Sequence, residues 1–185
     1  AMRVFTQKGF SRATNRDVAR EAGITTGLIY YYFDNKEALL RAVLDAHSPV
    51  QITTQITPEM LEHPPELLMP LLVMRVLAIA EGEQFVSIIR MMLPETVYNS
   101  AISPIALGFF QRVLDFLGHY LHIQIAKGTV RVDINPELVV QVLVSSLIGF
   151  VLRRQIIHDP SALAYTHAEI AQVVVSTFLQ GIQPH

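Results

Sequence analysis

The chain has no cysteine and no tryptophan, and Asp, Glu, Lys and Arg together supply only 16% of its 185 residues. Without cysteine there are no disulfides, no thiolate nucleophile and no Cys-ligated zinc, which fits a cytoplasmic protein. Charged residues ordinarily make up about a quarter of a soluble domain. Hydrophobic residues reach 51% here, so the chain is expected to hide apolar surface in an oligomer, a ligand cavity or both. A membrane-length run is also lacking. The uncharged stretch from Leu138 to Leu152 contains Gln141, Ser145 and Ser146 and is bounded by Glu137 and Arg153. It is shorter than the roughly 20 apolar residues a spanning helix needs, so it predicts a buried or subunit-joining helix and no membrane partner. No basic segment followed by an apolar one opens the chain, so nothing points to secretion. The patterns G-x-S-x-G, H-E-x-x-H and G-x-x-x-x-G-K are all absent. The expectation is a protein that is not an enzyme and has no cofactor and no metal. His119 and His122 stand one helical turn apart with Asp115 nearby, but no further ligand motif accompanies them, and a structural pair is the better reading.

The charge that is present is unevenly placed. Arg3, Lys8, Arg12, Arg16 and Arg20 outnumber Asp17 and Glu21 in the first 33 residues, whereas the whole chain has a net charge of -2. A basic head on an acidic body suits an anionic partner for the head.

Helix punctuation runs the length of the chain and predicts an all-α fold of about nine helices. The opening segment reads as the last turns of a first helix whose beginning is missing, closed by Gly9. Thr14 is a good N-cap for NRDVAREA and Gly23 a good C-terminal residue for it. A short helix is expected over Thr26 to Tyr32, and Asp34 with Glu37 has capping-box spacing for the fourth. Pro residues at 58, 65, 104 and 136 mark further starts. Helices are expected at roughly 58 to 63, 65 to 80, 82 to 93, 104 to 127, 136 to 157 and 167 to 181. GTVRVDI, 128 to 134, alternates like a strand but has nothing to pair with. The predicted division is a helix-turn-helix head over 1–46, its first helix truncated, and a ligand-binding and dimerisation body over 47–185.

The head carries the sharpest signal. A steep crossing of two short helices needs a small side chain at the contact and a left-handed residue in the link. Ala19 and Gly23 supply them, and Ile29 closes the wedge, at the spacing of a DNA-binding helix-turn-helix. Once Ile29 and Phe33 take the core direction, at least two of Tyr30, Tyr31 and Tyr32 must point outward, beside Thr25, Thr26 and Lys36. Such hydroxyls and an ammonium can hold phosphates.

Phe5, Gly9, Phe10, Thr14, Val18, Ala19, Ala22, Gly23, Gly27, Tyr30, Phe33, Lys36, Glu37 and Leu39 together closely resemble the N-terminal domain of the TetR/AcrR family of transcriptional regulators, over residues 1 to about 45. Three features depart from the family pattern: the absent first turns, Asn15 at a usually apolar position, and Tyr32 where His is common. The resemblance implies that Thr25, Thr26, Gly27 and Leu28 lie at the groove, with Thr14, Tyr30, Tyr31 and Lys36 on the DNA backbone. Leu28 has no hydrogen bond to give, and its natural base contact is a thymine methyl. It implies a homodimer through the last two long helices, with Leu143, Ser146, Leu147, Phe150, Ile170, Val173, Val174, Thr177 and Phe178 at the interface. It further implies a small-molecule effector pocket in the body, for which Met74, Phe85, Met92, Phe109 and Phe116 are the candidates, with Arg75, Arg90, Arg112 or Glu81 as polar handles. The functional expectation is a ligand-responsive regulator of transcription, a repressor that binds a palindromic operator as a dimer and is released by a mostly hydrophobic effector. The alternatives are an all-helical carrier or sensor without DNA binding, and a sequence-tolerant DNA-coating protein.

Overall fold

The structure is a computed structural model and describes residues 1–184. Eleven α-helices order themselves along these residues: α1 Met2–Lys8, α2 Asn15–Ala22, α3 Thr26–Tyr32, α4 Lys36–His47, α5 Pro58–Leu61, α6 Pro65–Ala80, α7 Glu83–Tyr98, α8 Ser103–Ala126, α9 Pro136–Leu152, α10 Pro160–Leu163 and α11 His167–Ile182. A 3₁₀ turn follows α4 and a π-helical turn, Arg153–Ile157, extends α9. No strand occurs among the described residues, and 128–134 forms turns and bends. The expected all-α class is the observed one.

The helix ends follow from particular side chains. Thr14 and Asp17 form a reciprocal capping box at the start of α2, and Thr166 with Glu169 repeats it on α11. Gly23 sits in the left-handed region at φ 67° and ends α2. The cap of α4 differs from the expected Asp34: Asn35 Oδ1 accepts from the Ala38 N–H at 2.7 Å, because Asn35, not Asp34, immediately precedes the first helical residue. α7 runs past the expected end at 93, continuing through Pro94 to Tyr98. A proline there removes one helical N–H, but buried Met91 and Met92 on the preceding turn keep the helix seated.

The chain divides into two compact units, Ala1–Ser48 with Glu83–Phe110, and Pro49–Gly82 with Gln111–His185. In the first, Phe5, Phe10, Val18, Ala19, Ile29, Leu40 and Leu44 form a continuous core with Ile88, Met91, Met92, Ile102 and Ile105. The head therefore shares its core with α7 and the start of α8. In the second, α11 lies against α6 and α9. Glu81 at the end of α6 is enclosed there by Arg154 (2.7 Å), Gln155 (2.9 Å) and His167 (2.7 Å).

A Cβ at Gly23 would meet nothing within 4 Å, so only the backbone resists substitution. Gly23→Ala is expected to cost about 1–2 kcal/mol, read as a lowered midpoint in urea with an unchanged slope.

Candidate nucleic-acid interface and effector cavity

α3 is the element that the head displays. Thr25 caps it, accepting from the Leu28 N–H at 3.3 Å, and Ile29 anchors it, 3% exposed. The rest of it faces out, apart from half-buried Thr26. Leu28 is 41% exposed, Tyr30 58%, Tyr31 79% and Tyr32 68%. Leu28 is thus not a core residue. Thr25 and Gly27 are exposed and Thr26 is half-buried. A side chain at Gly27 would meet only Thr25 Oγ1, at 4.0 Å, so another molecule can approach that backbone closely. The rings of Tyr31 and Tyr32 meet edge to face at 5.0 Å, and both residues stay largely exposed.

Thr14 and Lys36, expected to offer donors to phosphate, give them to the chain itself. The Thr14 N–H and O–H both donate to Asp17 Oδ2, at 3.1 and 2.8 Å. Lys36 Nζ donates to the carbonyls of Phe10 (2.8 Å), Ser11 (3.3 Å) and Ala13 (3.0 Å) and lies 4.4 Å from the Phe10 ring centroid. An ammonium has three N–H groups, so the α1–α2 turn uses them all. Among the basic residues of the head, Arg3 pairs with Glu21, and Lys8 and Arg20 share Asp17. Arg12 and Arg16 are exposed and carry no carboxylate partner among the described residues.

The same turn is held from its other side by residues that sequence spacing did not single out. Glu95 on α7 accepts from the Ser11 N–H at 2.9 Å and from its hydroxyl at 2.5 Å. Asn99 donates to Ser11 Oγ at 3.2 Å and to Glu95 at 3.3 Å. Burial alone would push the Glu95 carboxyl up, but the Ser11 and Asn99 hydrogen bonds and the charge of Lys36 outweigh it and hold it below the ordinary value. Asp17 is lowered further, chiefly by its bonds with Lys8 and Thr14.

Six side chains of α7 that precede this clasp or border it, Phe85, Ile88, Ile89, Met92, Leu93 and Thr96, line a cavity of about 330 Å³. Leu44 closes it from α4, and Ser103, Ala106, Phe109 and Phe110 from α8. Phe85, Met92 and Phe109 of the expected pocket meet here. Met74 and Phe116 lie on α6 and on the later turns of α8 and do not line it. The expected polar handles do not line it either. Glu81 is saturated by Arg154, Gln155 and His167, and Arg75 bonds Gln55.

The expected dimer stripe divides. Leu143, Leu147, Ile170 and Val174 are buried in the chain's own core, because α6, α9 and α11 pack on one another along that face. Phe150 and Phe178 are half-buried, and Ser146, Val173 and Thr177 are exposed. The outward apolar residues are Leu138, Val142 and Val173, close to one helical step from the buried row. Helix Pro136–Ile157 is long and apolar enough to cross a membrane by length and composition. His122 bonds Glu137 at 2.9 Å, and no cluster of three metal-ligating side chains occurs among the described residues.

Residues 1–43 match the family model described as bacterial regulatory proteins, tetR family. The HTH-type transcriptional regulator TtgR of Pseudomonas putida is 46% identical over 46 residues, 25% of this chain and 22% of that protein. The HTH-type transcriptional regulator HbdR of Aromatoleum sp. is 40% identical over 72 residues, 37% of this chain and 30% of that protein. The chain thus spans under a third of the length of these curated relatives. The solved structure of the transcriptional regulator FadR from Bacillus subtilis in complex with stearoyl-CoA has the same fold, with a TM-score of 0.75 over 99% of this chain and 96% of that one at 19% identity.

Both depressed carboxyls stabilise the first unit only while ionised. That contribution is complete above their ordinary values, near pH 4, and is lost as pH falls through the lower folded values. Acid titration of thermal stability should therefore show a steep loss below about pH 4. Asp17→Asn and Glu95→Gln should each shift the whole curve down at neutral pH and flatten its acid limb.

Proposed function

We propose, for a chain whose residues 1–43 match the model of the tetR family of bacterial regulatory proteins, that it is a DNA-binding transcriptional regulator whose affinity for its operator is set by a small molecule. The observation that carries this reading is α3: a helix whose one fully buried residue is Ile29 and that turns Thr25, Gly27, Leu28, Tyr30 and Tyr31 to solvent at the corner of a helix-turn-helix. Thr25, Thr26, Gly27 and Leu28 read the major groove, and the tyrosine hydroxyls take phosphates. Thr14 and Lys36 stand behind that surface. They fix the α1–α2 turn and the start of α2, and so the angle at which α3 is presented. Such a regulator works in the cytoplasm, as a repressor, and performs no catalysis.

One head neutralises few phosphates, so two heads about one helical turn apart are needed for useful affinity. The exposed row Leu138, Val142 and Ser146 on α9, with Val173 and Thr177 on α11, supports a two-fold contact with a second copy. The effector reading rests on the cavity. α7 lines it and, at Glu95, holds Ser11 of the head, so one helix touches both the cavity and the turn that sets the angle of α2 and α3. Ligand binding shifts the population of head positions, and a switch from 1:99 to 99:1 requires about 5.5 kcal/mol of differential affinity. The stearoyl-CoA held by a solved protein of the same fold supports a ligand site in such a body.

DNA binding is tested by anisotropy with labelled duplexes over a salt series. Affinity should fall linearly in log–log form. Tyr31→Phe should weaken operator and random duplex alike, several-fold, whereas Leu28→Ala should relax preference at one base position by about 1 kcal/mol or more. Preference untouched by Leu28→Ala removes it from the groove. Absence of DNA affinity at low salt would instead favour the carrier reading, and equal affinity for every sequence the coating protein. Val142→Arg should yield monomers by sedimentation and weaken operator binding at least tenfold, with the fold unchanged by circular dichroism.

A further inference from the structure

The cavity in the first unit has an unusual balance of hydrogen-bonding groups. Its wall carries no ionisable side chain, and its only polar side chains are Thr96 and Ser103. The Thr96 hydroxyl donates to the Leu93 carbonyl at 2.8 Å, and the Ser103 hydroxyl donates to the Thr96 carbonyl at 3.1 Å. Both protons are already placed, while both oxygens keep lone pairs. A ligand that donates a hydrogen bond is therefore met without any rearrangement, whereas a ligand acceptor must first draw a hydroxyl proton away from its carbonyl. An ionised ligand would give up its water for a wall without opposite charge.

The rest of the wall favours rings. Phe85 and Phe109 lie 6.0 Å apart and tilted by 34°, and Phe109 meets Phe110 edge to face at 5.2 Å. A ring can enter this array through the same edge and face contacts, and Met92 offers a polarisable sulfur beside them. At about 330 Å³ the space lies at the lower end of the roughly 300–1,000 Å³ usual for ligand pockets. It has no cation to meet a phosphate or carboxylate.

We infer that the cavity between α4, α7 and α8 binds a small uncharged aromatic alcohol, of the phenol or naphthol class, with its hydroxyl donating to Thr96 or Ser103. The role of that molecule as effector rests on the regulator reading above; its chemistry rests on the cavity alone. The test is calorimetric titration of the full chain with three probes that share one skeleton: 1-naphthol, naphthalene and 1-naphthoate. The expected order is 1-naphthol at one site per chain, naphthalene about three- to tenfold weaker for want of one hydrogen bond, and 1-naphthoate at least about 100-fold weaker. The near-isosteric double variant Thr96→Val, Ser103→Ala should bring 1-naphthol down to the affinity of naphthalene and leave naphthalene unchanged. Ala106→Phe, which fills the cavity, should abolish binding of both.

Comparable affinity for 1-naphthoate overturns the inference, as does full 1-naphthol affinity in the double variant or in Ala106→Phe. No binding of 1-naphthol to a chain that still binds DNA overturns it too, while leaving the regulator reading intact. Binding of 1-naphthol in the expected order without any change in operator affinity supports the assigned chemistry and removes the effector role alone.

Discussion

The turn between α1 and α2 is where the first unit is made into one body. It presents carbonyls on one side, which the Lys36 ammonium gathers from Phe10, Ser11 and Ala13. From the other side Glu95 takes the Ser11 N–H and hydroxyl. Charged groups make the strong hydrogen bonds of a folded chain, and here one cation and one anion close on the same four residues. α4 and α7 are fixed to the head by that pair, and the shared core from Phe5 to Ile105 fills in behind it. The angle at which α3 meets solvent depends on the clasp, because only the N-cap Thr14 separates the turn from α2.

α7 has a dual position because of this. Along most of its length it offers Phe85, Ile88, Ile89, Met92, Leu93 and Thr96 to an apolar cavity; near its end it offers Glu95 to the head, joined by Asn99 just past the helix. Close-packed helices shift as units rather than deform continuously. A molecule wedged against the first part of α7 therefore bears on the second, and the hydrogen bonds at Ser11 sit at the point where that movement reaches the α1–α2 turn. Pro94 lies beside Glu95, within the span of α7 that lines the cavity. It frees one carbonyl of the helix at the junction of cavity and clasp.

Much of the head was legible in its sequence because its determinants are local. Thr14, Ala19, Gly23 and Ile29 act within a short stretch of chain, and capping and left-handed geometry translate directly into helix ends. Asn35 in place of Asp34 shows the limit, since two adjacent residues with similar side chains compete for one cap. The cavity was half legible: Phe85, Met92 and Phe109 converge, but helix periodicity says neither which turn of α8 faces α7, which left Phe116 outside, nor which helices enclose the space, which left Met74 of α6 outside. The expected dimer stripe divides for a similar reason. α9 and α11 are apolar nearly all round, and a row such as Leu143 and Leu147 looks the same whether α6 or a second copy covers it. The Glu95–Ser11 clasp had no sequence signal, being made by common polar residues 84 positions apart.

The proposed function turns on whether α3 reads sequence in two places at once. Selection of bound duplexes from a random pool, using the full chain and sequencing what is retained, measures this without knowledge of the operator. The expected product is a set of duplexes with two inverted half-sites whose centres lie about one helical turn, roughly 34 Å, apart. A retained pool as random as the input would contradict a sequence-reading, two-headed regulator.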